Sequence, residues 1–201
     1  MITKSNFVDY CKCHKLYYLK KEKVVEVEES DADKINKENG ILVGSLARSY
    51  FGDYELVQKD TPDKMVKQTN ELIESGVETI CEASIVYKDL FCAVDILRKN
   101  GDGYDIYEVK STNKLEDIHK KDVSFQYYVL THAGYNIKNV YVLTLKKDYK
   151  FRNEFNIKDY LKRNKINKRE VIEEELDDIR KLNSEIPTVG CGECSGCSFF
   201  K

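Results

Sequence analysis

The chain has 201 residues, 34% charged and 41% hydrophobic, with two Pro, no Trp and a formal net charge of −2. This balance excludes a disordered chain, and the near-neutral charge excludes the global basic field of a protein that coats nucleic acid non-specifically. The length suits one domain, 1–201, with a sizeable core; no apolar run approaches the roughly 20 residues that span a bilayer, and "MITKSNFVDY" lacks a signal-peptide core, so a cytoplasmic protein with no membrane partner is expected.

From the N-terminus, Ser5 reads as a polar cap before "NFVDYCKCHKLYYLKK", where Phe7, Tyr10, Cys13 or His14, and Tyr17 recur at helical spacing. Residues 26–39 are charged and polar and read as a solvated loop or short surface segment. A second helix is expected from Ile41, with Leu42, Leu46 and Tyr50 along one face. A third covers "TPDKMVKQTNELIESG", with Thr61 as cap, Pro62 at the first helical position and Gly76 as the stop.

The hydrophobic period then changes from 3.6 to 2. "VETICEASIVYKD" and "LFCAVDILRKN" are β-branched, alternating runs joined by a turn at Lys88 and Asp89, and "NGDG" separates the second from "YDIYEVKS", which predicts a three-stranded meander. "DVSFQYYVLTHAG" reads as a helix ended by Gly134, and "NVYVLTLKKDY" as a fourth strand. A strand, helix, strand order implies a parallel pair, hence an α/β fold with a mixed central sheet flanked by helices. A charged helix is expected near residues 166–184. The chain ends in "PTVGCGECSGCSFFK".

Asp95, Glu108 and Lys110 stand out in these strands, because charged side chains are rarely buried unless paired or bound. Glu108 and Lys110 are two apart and point the same way, and pairing across "NGDG" brings Asp95 near them. Two carboxylates with the Val109 carbonyl form an oxygen site for Mg2+ or Mn2+. A lysine beside it can orient and help deprotonate water, or stabilise charge on a phosphate oxygen. The plainer alternative leaves all three on solvated surface.

Seven cysteines in a reducing compartment argue for metal over disulfides. Cys191, Cys194 and Cys197 form C-x-x-C-x-x-C, a spacing at which one loop presents three thiolates to a single centre. Cys11 and Cys13 are both available as the fourth ligand, and four thiolates suit a 4Fe-4S cluster or Zn2+. Cys81 and Cys92 read as small buried residues in strands. His14 reads as a surface or packing residue, and His119 and His132 as solvated helix positions. Lysines across residues 110–121 read as a solvated loop within reach of a phosphate backbone.

The order "AVDIL", "YEVKST" and a helix with "FQYYVL" resembles the RecB-like branch of the PD-(D/E)XK nuclease superfamily. Cys13 in "CHKLYYL" and the C-terminal cysteines are similar to the iron-sulfur nucleases of the CRISPR-associated "Cas four" type and of AddB-type helicase-nucleases. "GSLAR", "EASI", "DIL", "EVKS" and "DVSFQYYVL" also resemble the nuclease module of larger bacterial proteins built from domains of unknown function. The resemblance implies a restriction-endonuclease-like fold and a metal-dependent nuclease acting on single-stranded or end-bearing DNA, in repair, CRISPR adaptation or defence. A helicase, integrase or other nucleic-acid-processing protein is the implied partner.

By position, it makes Asp95 and Glu108 metal ligands with the Val109 carbonyl, Lys110 the catalytic lysine, and Gln126 a group that holds Lys110 or substrate. It selects Cys13 to join Cys191, Cys194 and Cys197 around a structural 4Fe-4S cluster. Residues 1–25 and 185–201 would form the cluster-binding part, and 77–147 the catalytic sheet and Gln helix. Two positions depart from the family. Leu130 stands where a tyrosine is usual, leaving Tyr127 and Tyr128 as DNA contacts or packing aromatics. Arg48 stands where many relatives have a histidine ligand, and grips phosphate rather than metal; Glu82 either supplies the missing carboxylate or pairs with Arg48 or a nearby lysine. Two rival readings are a DNA-binding or assembly module with a weakened nuclease site, and a zinc-stabilised interaction domain.

Overall fold

The structure is a computed structural model and describes residues 1–23, 31–150, 154–167 and 169–182. A short strand β1 (Ile2–Thr3) leads into helix α1 (Lys4–Lys12). Thr3 rather than Ser5 is the cap: its hydroxyl accepts from the Asn6 amide at 3.1 Å, and the Asn6 side chain accepts from the Thr3 amide at 3.1 Å. The helix expected to run on through Tyr17 breaks at Cys13, whose φ of −165° and ψ of 117° turn the chain before α2 (His14–Lys21). Tyr10 and Tyr17 are buried on either side of the break.

Helix α3 (Asp31–Ala47) starts inside the stretch expected to be a loop. Residues 31–39 are helical, and 26–30 lie outside the described residues. The described side chains of residues 31–39 are exposed, so this half carries no apolar period. Good helix formers such as Ala32, Lys34, Lys37 and Glu38 occupy it. The buried side is Val43 and Ala47 with Leu46 and Tyr50 beside them, whereas Leu42 is 56% exposed, contrary to the expected face. A 3-10 turn (Arg48–Phe51) and strand β2 (Glu55–Leu56) lead to α4 (Pro62–Glu74), which has Pro62 at its first position and ends at Gly76, φ 80°.

Strands β3 (Thr79–Tyr87), β4 (Leu90–Asn100) and β5 (Gly103–Val109) form the expected antiparallel meander. Helix α5 (Asp117–His132) begins five residues before the predicted start, so Asp117–Lys121 are helical rather than loop. It crosses to β6 (Ile137–Leu145), parallel to β5. A short α6 (Ile157–Tyr160), an unpredicted strand β7 (Leu161–Lys165) antiparallel to β6, and α7 (Glu173–Lys181) complete the described chain. Helix α7 is shorter than the 166–184 expected.

Among the described residues, seven strands make one mixed sheet in the order β2-β3-β4-β5-β6-β7, with β1 parallel to β4. One face packs against α1, α2, α4, α5 and α7 through Phe7, Tyr17, Leu72, Phe125, Leu130 and Leu176. The other packs against α3 and α6 through Val43, Ala47, Ile96, Tyr107 and Ile157. No helix among the described residues is long and apolar enough to cross a membrane.

Two irregularities set up the site. Along β4, Cys92 and Val94 belong to the first core, Ile96 to the second and Leu97 to the first, so alternation slips by one at Asp95. On β3 the same slip falls at Glu82, which has φ 57° and, like Asp95, drops out of the pairing between Cys81↔Ile96 and Ala83↔Val94. Positive φ in a residue with a side chain is strained and clusters at functional sites. Secondly, β5 pairs with β4 only from Asn100↔Gly103 to Ile96↔Tyr107, while β1 takes the far end of the same edge at Leu90 and Phe91. The sheet therefore forks at Asp95.

The tip of the hairpin that aims this fork is tightly packed. A Cβ added at Gly103 would lie 2.2 Å from the Asn136 carbonyl oxygen, which is backbone and cannot swing away. Gly103→Ala is therefore expected to lower stability by about 1–3 kcal/mol in chemical denaturation; an unchanged midpoint would contradict this packing.

Candidate active site

The fork leaves the Val109 amide without a strand partner on β4, and the Asp95 side chain supplies one. Its Oδ2 accepts from Val109 N at 2.7 Å, which fixes the carboxylate at the point of divergence. Glu108, one residue before Val109, points with Lys110 to the α1 and α5 side of the sheet, as their spacing requires. Lys110 Nζ donates to Glu108 Oε1 at 2.7 Å and to Asp122 Oδ2 at 2.5 Å. From α5, Gln126 Nε2 donates to Glu108 Oε2 at 2.6 Å and to Asp122 Oδ1 at 3.0 Å. From the first turn of α1, Lys4 Nζ donates to both Glu108 oxygens, at 3.1 and 2.9 Å, and lies 3.6 Å from Asp95 Oδ1.

Asp95, Glu108, Lys110 and Gln126 are thus brought together, joined by two residues that sequence reasoning missed. Asp122 had a readable signal: it sits four positions before Gln126 and shares its helix face. Lys4 had none, because its place depends on β1 docking beside β4.

The site is nearly dry. The Glu108 and Asp122 side chains are 3% and 4% exposed, and those of Lys4, Lys110 and Asp95 between 21% and 25%. Burial opposes ionisation of Glu108, but the ammonium groups of Lys4 and Lys110 overcome it and hold its carboxyl well below the usual range. Burial, then the Glu108 charge, pushes Asp95 up to about 7. The same two causes raise Asp122. For Lys110, burial is outweighed by Glu108 and Asp122, which raise its pKa and keep it charged. His119 is 7% exposed rather than solvated as expected: it occupies the third position of α5, where its Nδ1 accepts from the Glu116 amide at 3.2 Å. Burial and Lys110 lower its pKa, favouring the neutral ring that this cap needs.

Other candidates lie apart from this network. Arg48 pairs with Glu82 at 3.9 Å, the second of the two roles considered for Glu82. Both line a groove of about 600 Å³ with Leu56, Met65 and Phe91. Tyr127 packs beneath the Arg169 guanidinium, 4.5 Å from ring centre to Cζ, and Leu130 is fully buried in the core. Cys81 and Cys92 are fully buried, and burial pushes both thiols up to about 12, in keeping with an apolar role. Cys13 is buried at the break between α1 and α2, while Cys11 is half-buried. Cys191, Cys194 and Cys197 lie outside the described residues.

Among the described residues, no three His, Cys, Asp or Glu side chains form a ready metal-binding group. The donors around the Lys4 ammonium are nevertheless hard oxygens, two from Glu108 and one from Asp95, the type that Mg2+ and Mn2+ prefer. In donor chemistry the fork fits a divalent cation. No protein-family model and no curated protein matches this chain.

Three carboxylates face two ammonium groups in the fork, and burial and the Glu108 charge oppose ionisation of Asp95, as they do that of Asp122. Asp95→Asn keeps an acceptor for the Val109 amide and removes the Asp95 charge. The metal-free variant is expected to be more stable than the parent by about 0.5–2 kcal/mol in chemical denaturation. Because the folded state raises the Asp95 pKa, the gain should grow as pH rises from the ordinary carboxylate range through about 7. A loss of stability at neutral pH would show that ionised Asp95 supports the fork.

Proposed function

We propose that the chain is a metal-dependent nuclease of the PD-(D/E)XK type that hydrolyses phosphodiester bonds in DNA. The observation that carries this reading is the fork itself: Asp95 at the divergence of β4 and β5, Glu108 of β5 bonded to Lys110 just past the end of that strand, and Gln126 of α5 bonded to Glu108. The mixed sheet with helices on both faces supports a restriction-endonuclease-like arrangement.

Asp95, Glu108 and the Val109 carbonyl would hold Mg2+ or Mn2+, which when bound activates water and draws charge from phosphate oxygens. The residues around them have separable tasks. Glu108 stays ionised because two ammonium groups face it. Lys110 stays charged, so it serves as a fixed positive group beside the developing phosphate charge rather than as a base. Gln126 and Asp122 hold Glu108 and Lys110 in place from α5, so the distance between strand and helix sets the geometry. A second reading, a DNA-binding or assembly module with weak cleavage, draws support from Arg48, whose ion pair is with Glu82.

Labelled single-stranded and double-stranded DNA with Mn2+ distinguishes the two. Cleavage by the parent is expected, reduced at least about a hundredfold in Asp95→Ala and Lys110→Ala. Equal cleavage by all three proteins would overturn the catalytic assignment, and binding without cleavage would favour the module. Helicase or integrase partners belong to the same proposal.

We also propose a 4Fe-4S cluster on Cys13, Cys191, Cys194 and Cys197, with zinc as the alternative occupant. The support is the C-terminal spacing and the place of Cys13 at a helix break in the first layer. Chemical analysis of protein purified without oxygen should find about four iron and four sulfide per chain, lost on Cys13→Ser. Zinc without sulfide would identify the alternative, and neither would overturn the site.

A further inference from the structure

We propose that the Lys4 ammonium is a tethered counter-ion occupying the cation position between Asp95 and Glu108, and that a divalent ion enters the fork by displacing it. The inference rests on the metal-dependent reading of this site and adds a control on it.

The geometry is that of an occupant. Lys4 Nζ is 2.9 and 3.1 Å from the two Glu108 oxygens and 3.6 Å from Asp95 Oδ1, so it stands where the oxygens of both proposed ligands converge. Lys110 does not substitute for it, because that ammonium is held by Glu108 Oε1 and Asp122 Oδ2 on the α5 side. Among the described residues, the cation paired with Asp95 is Lys4. The two lysines therefore divide the work: one braces the strand to α5 and the other covers the carboxylate pair.

Lys4 is also built to move by its side chain alone. Its backbone is fixed by the pairing of Ile2 with Leu90 and Thr3 with Phe91, and by the Thr3 and Asn6 capping box. Its side chain is 21% exposed, so the flexible four-carbon stem has a path to water. Charge favours the exchange. When Asp95, Glu108 and Asp122 are all ionised, the two lysines leave one negative charge uncompensated, whereas a divalent ion in place of Lys4 makes that set neutral. The position is thus filled in the metal-free protein, which keeps Asp95 and Glu108 from repelling each other and makes metal compete for its seat. Competition of this kind lowers apparent affinity by the fraction of molecules in which the seat is free.

The test is titration with Mn2+ alone, without DNA, of the parent, Lys4→Met and Lys4→Arg, together with mass-spectrometric measurement of Lys4 reactivity toward an amine reagent with and without Mn2+. Lys4→Met is expected to bind Mn2+ about tenfold more tightly or better, while Lys4→Arg, which keeps the charge, binds no more tightly than the parent. In the parent, Lys4 should be protected without metal and become reactive as Mn2+ saturates the site, a change that a purely structural lysine would not show. Equal affinity in the parent and Lys4→Met, or a Lys4 that stays protected at saturating Mn2+, overturns displacement while leaving the metal site intact. Absence of Mn2+ binding to both proteins overturns the metal-dependent reading, and displacement with it.

Discussion

Everything about the candidate site depends on a broken ladder. Strands β4 and β5 pair as far as Ile96 and Tyr107 and then part, and the Asp95 carboxylate takes the Val109 amide that a β4 carbonyl would otherwise accept. A buried amide without an acceptor is costly, so this hydrogen bond is a structural requirement as well as a placement device. The same divergence frees the far end of β4 for β1, and β1 delivers α1 with Lys4 at its first position. One irregularity in pairing thus positions groups from β4, β5 and α1.

Burial then sharpens the electrostatics. In a nearly dry fork, each carboxylate depends on the ammonium and amide groups around it, and unequal distances divide the charge unequally. Glu108, contacted by Lys4, Lys110 and Gln126, is held ionised; Asp95 is pushed up to about 7 by burial and then by the Glu108 charge, which its 3.6 Å Lys4 contact offsets only in part. The strained Glu82, with φ 57°, which drops out of the β3 and β4 pairing at the same point as Asp95, is part of the same local cost. A set of like charges and a strained backbone residue are hard to explain by folding stability alone, and are the kind of expense that functional sites carry.

The helices contribute rigidity more than chemistry. Phe7 of α1 stacks on Phe125 of α5 with ring centres 5.1 Å apart, and both are fully buried. Lys4 lies three residues before one partner and Gln126 follows the other. This contact therefore ties the Lys4 side of the site to the Gln126 side. Movement of one helix relative to the other would be felt at Glu108, which both contact.

Strong periodic signals in the sequence determined the meander, the crossover from β5 through α5 to β6, helix α4 between Pro62 and Gly76, and the common face of Glu108 and Lys110. Each follows from local pattern: alternation with β-branched residues, 3.6-residue spacing, and Pro or Gly at helix ends. The first half of α3 and the edge strand β7 were not legible, because the described side chains of residues 31–39 are exposed and "LKRNK" buries Leu161 with exposed or half-buried residues after it. Tertiary structure alone decided the break at Cys13, the slip in phase at Glu82 and Asp95, and the arrival of Lys4 in the fork. These depend on which strand fills an edge that another has left, and on side chains replacing missing backbone partners. Neither leaves a periodic mark, since the residues that meet are separated by up to 104 positions along the chain.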